Sequence, residues 1–556
     1  MFRAFETVSH SPGNCDNPPS LAVNDMSDMQ TDSERVDTSA SRTTDQESGL
    51  LKASGVTGSM TMVSRVLGLI RDIVIARVFG ISDATDAFFL ANKIPNFMRR
   101  LFAEGAFNQA FVPVLSEYRT QKSHTEVQGL INAVSVSLGG FLLLVTGVVI
   151  IIAPFLAVPI AYGFTDEPEK FDLFVEMMRI TFPYLLLIAM TALCSAILNS
   201  YGKFAIPAIT PALLNISLIG SSFLLVPYMR EPELALAWAV LIAGFAQLFF
   251  QLPFLQRINL LPKPKRNKSH EGVARIKKLM LPALFGVSVT QINLMLDVFI
   301  ASLLTTGSIS WLYYSDRLME LPLGTFGIAI AIVVLPSLSR KHAEASTAEF
   351  AATLDWAFRL VCLIAIPASV ALMLIAEPLL VTLFQNENFP ASDVIGSAGS
   401  LRAYALGLIA FMAIKIFSSG FYARQNTSTP VRIGIIARTS NMVMNIIFYL
   451  TVLDQVVLAL ATSLAAFLNA GLLLRGLFSD KVFYLQPGWA FFLLRIVLAN
   501  AAMVIFLIYF AGEWQDWLEW TISAQVLRLA VLVVGGMGVY GVVLFTFGLR
   551  WRHIYR

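Results

Sequence analysis

The sequence predicts an all-α polytopic membrane protein: 14 transmembrane helices in two pseudo-twofold related six-helix lobes, plus two extra C-terminal helices. Three observations predict it. The 556 residues are 56% hydrophobic and 14% charged, with a mean hydropathy of +0.68, against about 25% charge in a soluble domain. Apolar runs of about 20 residues recur, enough to cross a hydrocarbon layer of about 30 Å. Basic residues crowd one set of alternate loops, and segments six spans apart echo one another. A soluble enzyme, a disulfide scaffold and a disordered regulator are excluded. A net charge of +3 points to no nucleic-acid partner. Cys15, Cys194 and Cys362 show no metal or redox spacing, and the five histidines lie outside the apolar blocks.

Residues 1–50 are rich in Ser, Thr, Asp and Asn. They read as a disordered polar cytoplasmic leader without the apolar core of a signal peptide. Spans are then expected at 58–80, 85–114, 130–158, 174–200, 205–227, 233–255, 277–304, 308–337, 356–384, 397–419, 430–452, 454–474, 489–511 and 525–548. They divide into an N-lobe (55–256), a basic cytoplasmic linker (257–278), a C-lobe (277–480) and a closing unit (485–556) of two helices and a cytoplasmic tail. The first, second and eighth spans are polar, and a strict hydropathy threshold is expected to miss them. Charge placement retains them. With a cytoplasmic N-terminus, the cytoplasmic segments hold twenty Lys and Arg, and the opposite loops hold only Lys170 and Arg230. Deleting an early span would invert every later loop and destroy this positive-inside pattern. Both termini are then cytoplasmic, and the Trp-rich stretch Gly512–Trp520 lies at the opposite interface.

The lobes are legible as a repeat. Asp72–Ala76 resembles Asp297–Ala301, Val112–Ser116 resembles Leu335–Ser339, and Tyr201…Pro207 is echoed by Tyr422…Pro430. An even number of spans between copies gives both the same orientation, with the pseudo-twofold along the membrane normal.

Ionisable residues inside a membrane are costly and mark function. The first span carries Thr61, Ser64, Arg65, Gly68 and Asp72 on one helical face, with Arg71 nearby. The second carries Asp86, Lys93, Asn96, Arg100 and Glu104, with Arg99 alongside and Pro95 to kink it. The seventh has Asn293 and Asp297; the eighth has Tyr313, Asp316, Arg317 and Glu320, then Pro322 and Gly324. Facing one another, these stripes would line one polar cavity marked by Arg65, Arg71, Arg99 and Arg317, with Lys93 and Arg100 as further candidates. Arginine stays charged and binds phosphate oxygens in pairs, so the cargo would be anionic and phosphate-bearing. The competing reading is internal neutralisation, Arg71 by Asp72 and Arg317 by Asp316. Arg77 reads as structural, and Arg359, Arg438, Arg495 and Glu377 as interface or packing groups.

No GxxxxGK[ST] loop is present, so ATP use within the chain is not expected, and no cofactor is expected. Transport would draw on the membrane potential, worth about 2.3 kcal/mol per charge per 100 mV, or on an ion gradient. Asp297 with Asn441 and Asn445 offers oxygen ligands for a cation; hydrogen bonding between helices is the alternative role of the two amides.

Several runs are similar to one family. Ser59–Asp72 (SMTMVSRVLGLIRD), Ala84–Phe89 (ATDAFF), Ile94–Phe107 (IPNFMRRLFAEGAF), Trp311–Glu320 (WLYYSDRLME) and Gly420–Gln425 (GFYARQ) resemble the MurJ (MviN) family, and the likeness extends over about 55–550. The resemblance implies the fourteen-helix fold of the multidrug/oligosaccharidyl-lipid/polysaccharide exporter superfamily. It also implies a flippase, not an enzyme, that carries lipid II, the undecaprenyl-pyrophosphate disaccharide-pentapeptide, to the outer face of the bacterial inner membrane by alternating access. The family's essential cavity arginines fall on Arg65, Arg71, Arg99 and Arg317 and its important acid on Asp86, with Ser64 and Glu104 matching further positions. Its last two helices form a lipid-tail groove. Some members bind Na+ at positions resembling Asp297, Asn441 and Asn445, with a carboxylate where Asn445 stands here. Implied partners are lipid II, membrane lipids and cell-wall synthesis proteins. The alternatives are a flippase for another polyprenyl-linked glycan, a cation/drug antiporter of the same superfamily, and a scaffold for wall-synthesis enzymes.

Overall fold

The computed structural model describes residues 58–60, 62–100, 107–263, 270–281, 299–451 and 455–548. The chain divides into Met1–Ser59 and Met60–Arg556; the helices named below belong to the second unit. The leader 1–50, Glu104, Asn293, Asp297 and the C-terminal tail lie outside the described residues.

Among the described residues the helices named here follow in order: α1 (62–79), α2 (Asp83–Met98), α3 (Phe107–Gln121), α4 (His124–Ile160), α5 (Pro168–Thr181), α6 (Tyr184–Ser200), α7 (Ala205–Ile209), α8 (Ala212–Leu224), α9 (Leu234–Arg257), α10 (271–281), α11 (Ser308–Pro322), α12 (Ile328–Ala343), α13 (Thr347–Leu374), α14 (Ala376–Phe384), α15 (Ala391–Tyr422), α16 (Ser428–Thr451), α17 (Gln455–Ser479), α18 (Trp489–Ala511), α19 (Asp516–Glu519) and α20 (Ile522–Thr546). Among the described residues there is no β-strand. The helix starts are written locally. Ser82 accepts from the Thr85 N–H while the Thr85 hydroxyl accepts from the Ser82 N–H, and Ser123 and Glu126 repeat this reciprocal cap at α4.

Among the described residues ten helical segments are long and apolar enough to cross a membrane, which makes the chain a multi-pass membrane protein. The segment Ser308–Ala343 is one of them, contrary to the expectation that its polarity would hide it. Its charges, Asp316, Arg317 and Glu320 on one side and Arg340 and Lys341 on the other, flank an uncharged stretch from Leu321 to Ser339 that is long and apolar enough to cross. The regions of the first, second and eleventh expected spans are also helical as α1, α2–α3 and α16; they are polar and do not count among the ten. Most of the seventh lies outside the described residues.

Among α2–α9, α6 packs on α9, α4 and α3, α8 on α9, and α2 on α5; among α11–α17, α15 is central, packed against α13, α17, α11 and α12. The pair α2 and α11 joins the two groups. A further echo of the repeat appears in the contacts. Arg179 donates from Nε to the Ile150 carbonyl at 3.2 Å, and Arg402 donates from Nε to the Met373 carbonyl at 3.0 Å. Each pair is 29 residues apart, and the second follows the first by the same offset as the Pro113/Pro336 echo. Both carbonyls are short of an intrahelical donor: Pro154 cannot serve Ile150, and Met373 lies in the last turn of α13.

The added pair α18 and α20 pack on each other and on α13 and α14. Tyr540 donates to the Leu363 carbonyl at 2.9 Å, the carbonyl that Pro367 leaves without a helical donor. Trp489 donates to Asp355 at 2.7 Å. Phe491, Ile505, Tyr509, Met537 and Phe545 on this pair are exposed.

Candidate functional site

The two groups of helices are joined at the end where α1 stops and α2 begins. Asp86, buried at 1% exposure, accepts from the Gly307 N–H at 2.7 Å, the Ser310 N–H at 2.9 Å and the Ser310 hydroxyl at 2.5 Å. The first N–H groups of a helix have no partner within it, and its N-terminus favours negative charge. Asp86 therefore caps α11 from across the seam. Thr306 donates to Asp83 at 2.6 Å, and Lys170 pairs with Asp83 at 2.6 Å. Burial pushes the Asp83 carboxyl up, but the bonds from Lys170 and Thr306 outweigh it and hold the group below the ordinary carboxylate range. Arg77 donates to the Thr382 and Leu383 carbonyls at the end of α14, and Asn386 and Asn388 return bonds to the Arg77 carbonyl. The backbone fits closely here: a Cβ on Gly163 would collide with the Ser302 carbonyl. This is the sealed end.

The arginines lie below it in two tiers. Arg71 and Arg317 are eight and nine residues from the sealed end of their helices, about 12–13 Å down at about 1.5 Å per residue. Arg71 donates to Asp72 at 2.7 and 2.9 Å, to Asn215 at 2.9 Å and to the Tyr313 hydroxyl at 3.1 Å. Tyr313 in turn donates to Asp72 at 2.8 Å. Arg317 lies over the Tyr313 ring at 5.1 Å and pairs with Glu320 at 2.8 Å. Its Nε is buried without a hydrogen-bond partner, the second Asp72 oxygen standing at 4.0 Å. The Arg71–Asp72 neutralisation expected as the competing reading is thus present. Arg317 takes Glu320, one turn on, rather than Asp316.

Arg65, Arg99 and Gly324 are fourteen to sixteen residues from the sealed end, about 21–24 Å down. The Arg65 guanidinium lies against Gly324, where any Cβ would collide with it. Gly324 belongs to a π-helical segment, Leu323–Gly327, an irregularity common at functional sites. The neighbour in the way is the far end of a flexible side chain. Gly324→Ala is therefore expected to fold and reach the membrane at wild-type levels while displacing Arg65, and to lower transport several-fold. Complementation titrated against expression level checks this.

Arg99 stands on the wall of a cavity of about 680 Å³ between α2, α3, α6, α7, α8 and α9, with its Nε 3.4 Å from the Asn96 amide oxygen. The expected single basin therefore resolves into parts: Arg71 and Arg317 meet through Asp72 and Tyr313, Arg65 reaches Gly324, and Arg99 faces this separate cavity. Asp86 belongs to the seam, set apart from the arginines with its carboxylate committed to α11. The Ser64 carbonyl accepts from Asn215 at 2.9 Å. Asn215 was missed by sequence reasoning, although a lone amide in the apolar stretch Leu213–Leu218 is a signal. Asn441 keeps a buried amide oxygen without a hydrogen-bond partner, and Asn445 is buried beside it in sequence. Among the described residues no group of three His, Cys, Asp or Glu gathers to hold a metal.

The class follows from the fold and this seam: an all-helical polytopic membrane protein with the fold of the MOP-superfamily transporters. An inward-facing multidrug resistance MATE family transporter of that superfamily shares the fold with a TM-score of 0.61 at 14% identity, over 77% of this chain and 98% of that one. A solved structure titled lipid II flippase MurJ, inward closed conformation, aligns with a TM-score of 0.75 at 28% identity, over 90% of this chain and 99% of that one. A Vibrio cholerae protein named probable lipid II flippase MurJ is 46% identical over 514 residues, 91% of this chain and 97% of its own. The lipid II flippase MurJ of Burkholderia cenocepacia is 38% identical over 507 residues, 90% and 97% of the two chains. Residues 75–527 match the family described as lipid II flippase MurJ, and the chain belongs to that family.

Proposed function

We propose that this chain flips lipid II from the inner to the outer face of the bacterial inner membrane, with both termini cytoplasmic and the sealed end outermost. The observation that carries the reading is the tier of Arg71 and Arg317 at the seam, in a chain of the lipid II flippase family, with a buried guanidinium N–H of Arg317 left unpaired. Buried donors are nearly always satisfied, and an exception calls for an acceptor. A pyrophosphate entering from the open side supplies several. It replaces Asp72 and Glu320 as partner of Arg71 and Arg317, and it meets Arg65 and Arg99 on its way.

The exchange drives the conformational change. Asp72 and Tyr313 tie α1 to α11 in the sealed state, and an anion that takes Arg71 from Asp72 weakens that tie. The two groups of helices then rock apart at the sealed end and expose the headgroup outward. The polyprenyl tail stays in lipid along the exposed apolar faces of α18 and α20. No bond is made or broken. The membrane potential or a Na+ gradient resets the cycle; in the second case Asn441 and Asn445 with Asp297 would hold the ion, a bound Na+ supplying charge to bias one state. The unpartnered Asn441 oxygen suits such a ligand.

Depletion of the chain tests the reading. Labelled lipid II is expected to become inaccessible on the outer face and to accumulate inside. Unchanged outer-face lipid II, with loss of another polyprenyl-linked glycan or of drug resistance instead, would transfer the role to one of the alternative cargoes.

A further inference from the structure

The cavity beside Arg99 differs in chemistry from the arginine tiers. Among the described residues that line it, Arg99 carries the one charge, and the rest of the polar wall is amide and hydroxyl, with Asn96, Asn108, Ser116, Asn199 and Gln247 among them. Three hydroxyls on this wall spend their protons on their own helices: Thr191 donates to the Leu187 carbonyl, Ser200 to Ala196 and Thr210 to Ile206, at 2.8, 2.8 and 2.7 Å. The Thr191 and Ser200 oxygens remain as acceptors, while the Thr210 oxygen takes a bond from the Gln251 amide at 2.9 Å. The Asn108 amide oxygen is buried with no hydrogen-bond partner. The wall therefore offers acceptors beside the amide N–H donors of its Asn and Gln side chains, and Arg99 is its one charge.

A phosphate or carboxylate would find one cation here and would leave the unpaired amide oxygen facing its own lone pairs. Sugar hydroxyls and acetamido N–H groups bring donors and carry no charge. A volume of about 680 Å³ falls in the range of about 300–1,000 Å³ typical of pockets for ligands of this size. Arg99, which caps the end of α2, brings to this wall the same phosphate-binding guanidinium found at the arginine tiers. We propose that this cavity is the saccharide subsite, which takes the uncharged N-acetylated disaccharide next to the pyrophosphate. The assignment rests on the lipid II reading and deepens it.

The test uses three ligands on the purified full-length chain: undecaprenyl pyrophosphate, the same lipid bearing the disaccharide without peptide, and lipid II. The disaccharide is expected to tighten binding at least about tenfold over the bare pyrophosphate, the value of one or two well-matched hydrogen bonds. Asn108→Leu and Asn199→Leu are expected to cut that gain to about twofold or less and to leave binding of the bare lipid unchanged. Asn108→Leu removes an unsatisfied buried oxygen and should fold; Asn199 is exposed at the end of α6, so its variant reads the same ratio should the first fail to accumulate. A gain that persists in the variants, or that appears only with the pentapeptide, overturns the assignment while the flippase reading stands. A wild-type chain that binds none of the three overturns both.

Discussion

Arg317→Ala is expected to abolish complementation of a strain depleted of its lipid II flippase, with the chain still present in the membrane at wild-type levels. The reason is the unequal use of its guanidinium. One nitrogen pairs with Glu320, the plane lies over Tyr313, and Nε has no hydrogen-bond partner. Little of the sealed state depends on this side chain, which is 39% exposed, so alanine should not unfold the protein. The loss falls on the anion. A hydrogen bond to a charged group is worth about 1.5–3 kcal/mol, roughly ten- to a hundredfold in occupancy, and a bidentate contact is worth more than one bond. Arg65→Ala is expected to fail in the same way, and Arg317→Lys to recover only part of the activity, because the point charge lacks the planar fork. Normal growth of both alanine variants would count against their assignment to the pyrophosphate.

The second large effect is at Asp86. Asp86→Ala would leave the Gly307 and Ser310 N–H groups and the Ser310 hydroxyl without their buried acceptor. At about 1–3 kcal/mol for each unsatisfied buried group, the sealed state loses on the order of 3 kcal/mol, a shift of more than a hundredfold in population. Spin labels at Asp166 and Glu387, exposed on either side of the seam, are expected to show one short distance in the wild type and a longer, broader distribution in the variant. Asp86→Asn keeps one acceptor oxygen and should fall between them. A variant distribution that matches the wild type would show that Arg77 and Lys170 hold the seam without Asp86.

Much of the fold was legible because membranes force it: apolar length, helical stripes and loop charge are all local or periodic properties. The stripes of α1, α2 and α11 carried the candidate arginines for the same reason. Partners were less legible. Arg71 finds Asn215 144 residues away and Tyr313 242 residues away, and no local pattern encodes such pairings. Asp86 looked like a cavity acid because it shares a helical face with Lys93; its proximity to the end of α2 was the clue that it could cap another helix. The hydropathy of Ser308–Ala343 was misjudged because its charges flank a long uncharged stretch, Leu321–Ser339, instead of interrupting it. The cavity beside Arg99 had no sequence signal at all, since Asn, Ser and Thr serve equally as contacts between helices.

The central claim is that arginines within the membrane hold the pyrophosphate in exchange for their own carboxylates. Affinity of the purified chain for undecaprenyl pyrophosphate, measured beside undecaprenol and repeated with Arg65→Ala and Arg317→Ala, tests it most directly. The account predicts strong preference for the pyrophosphate in the wild type and a drop of about tenfold or more for each variant, with undecaprenol binding unaltered. Equal affinity of wild type and variants for the pyrophosphate would contradict it.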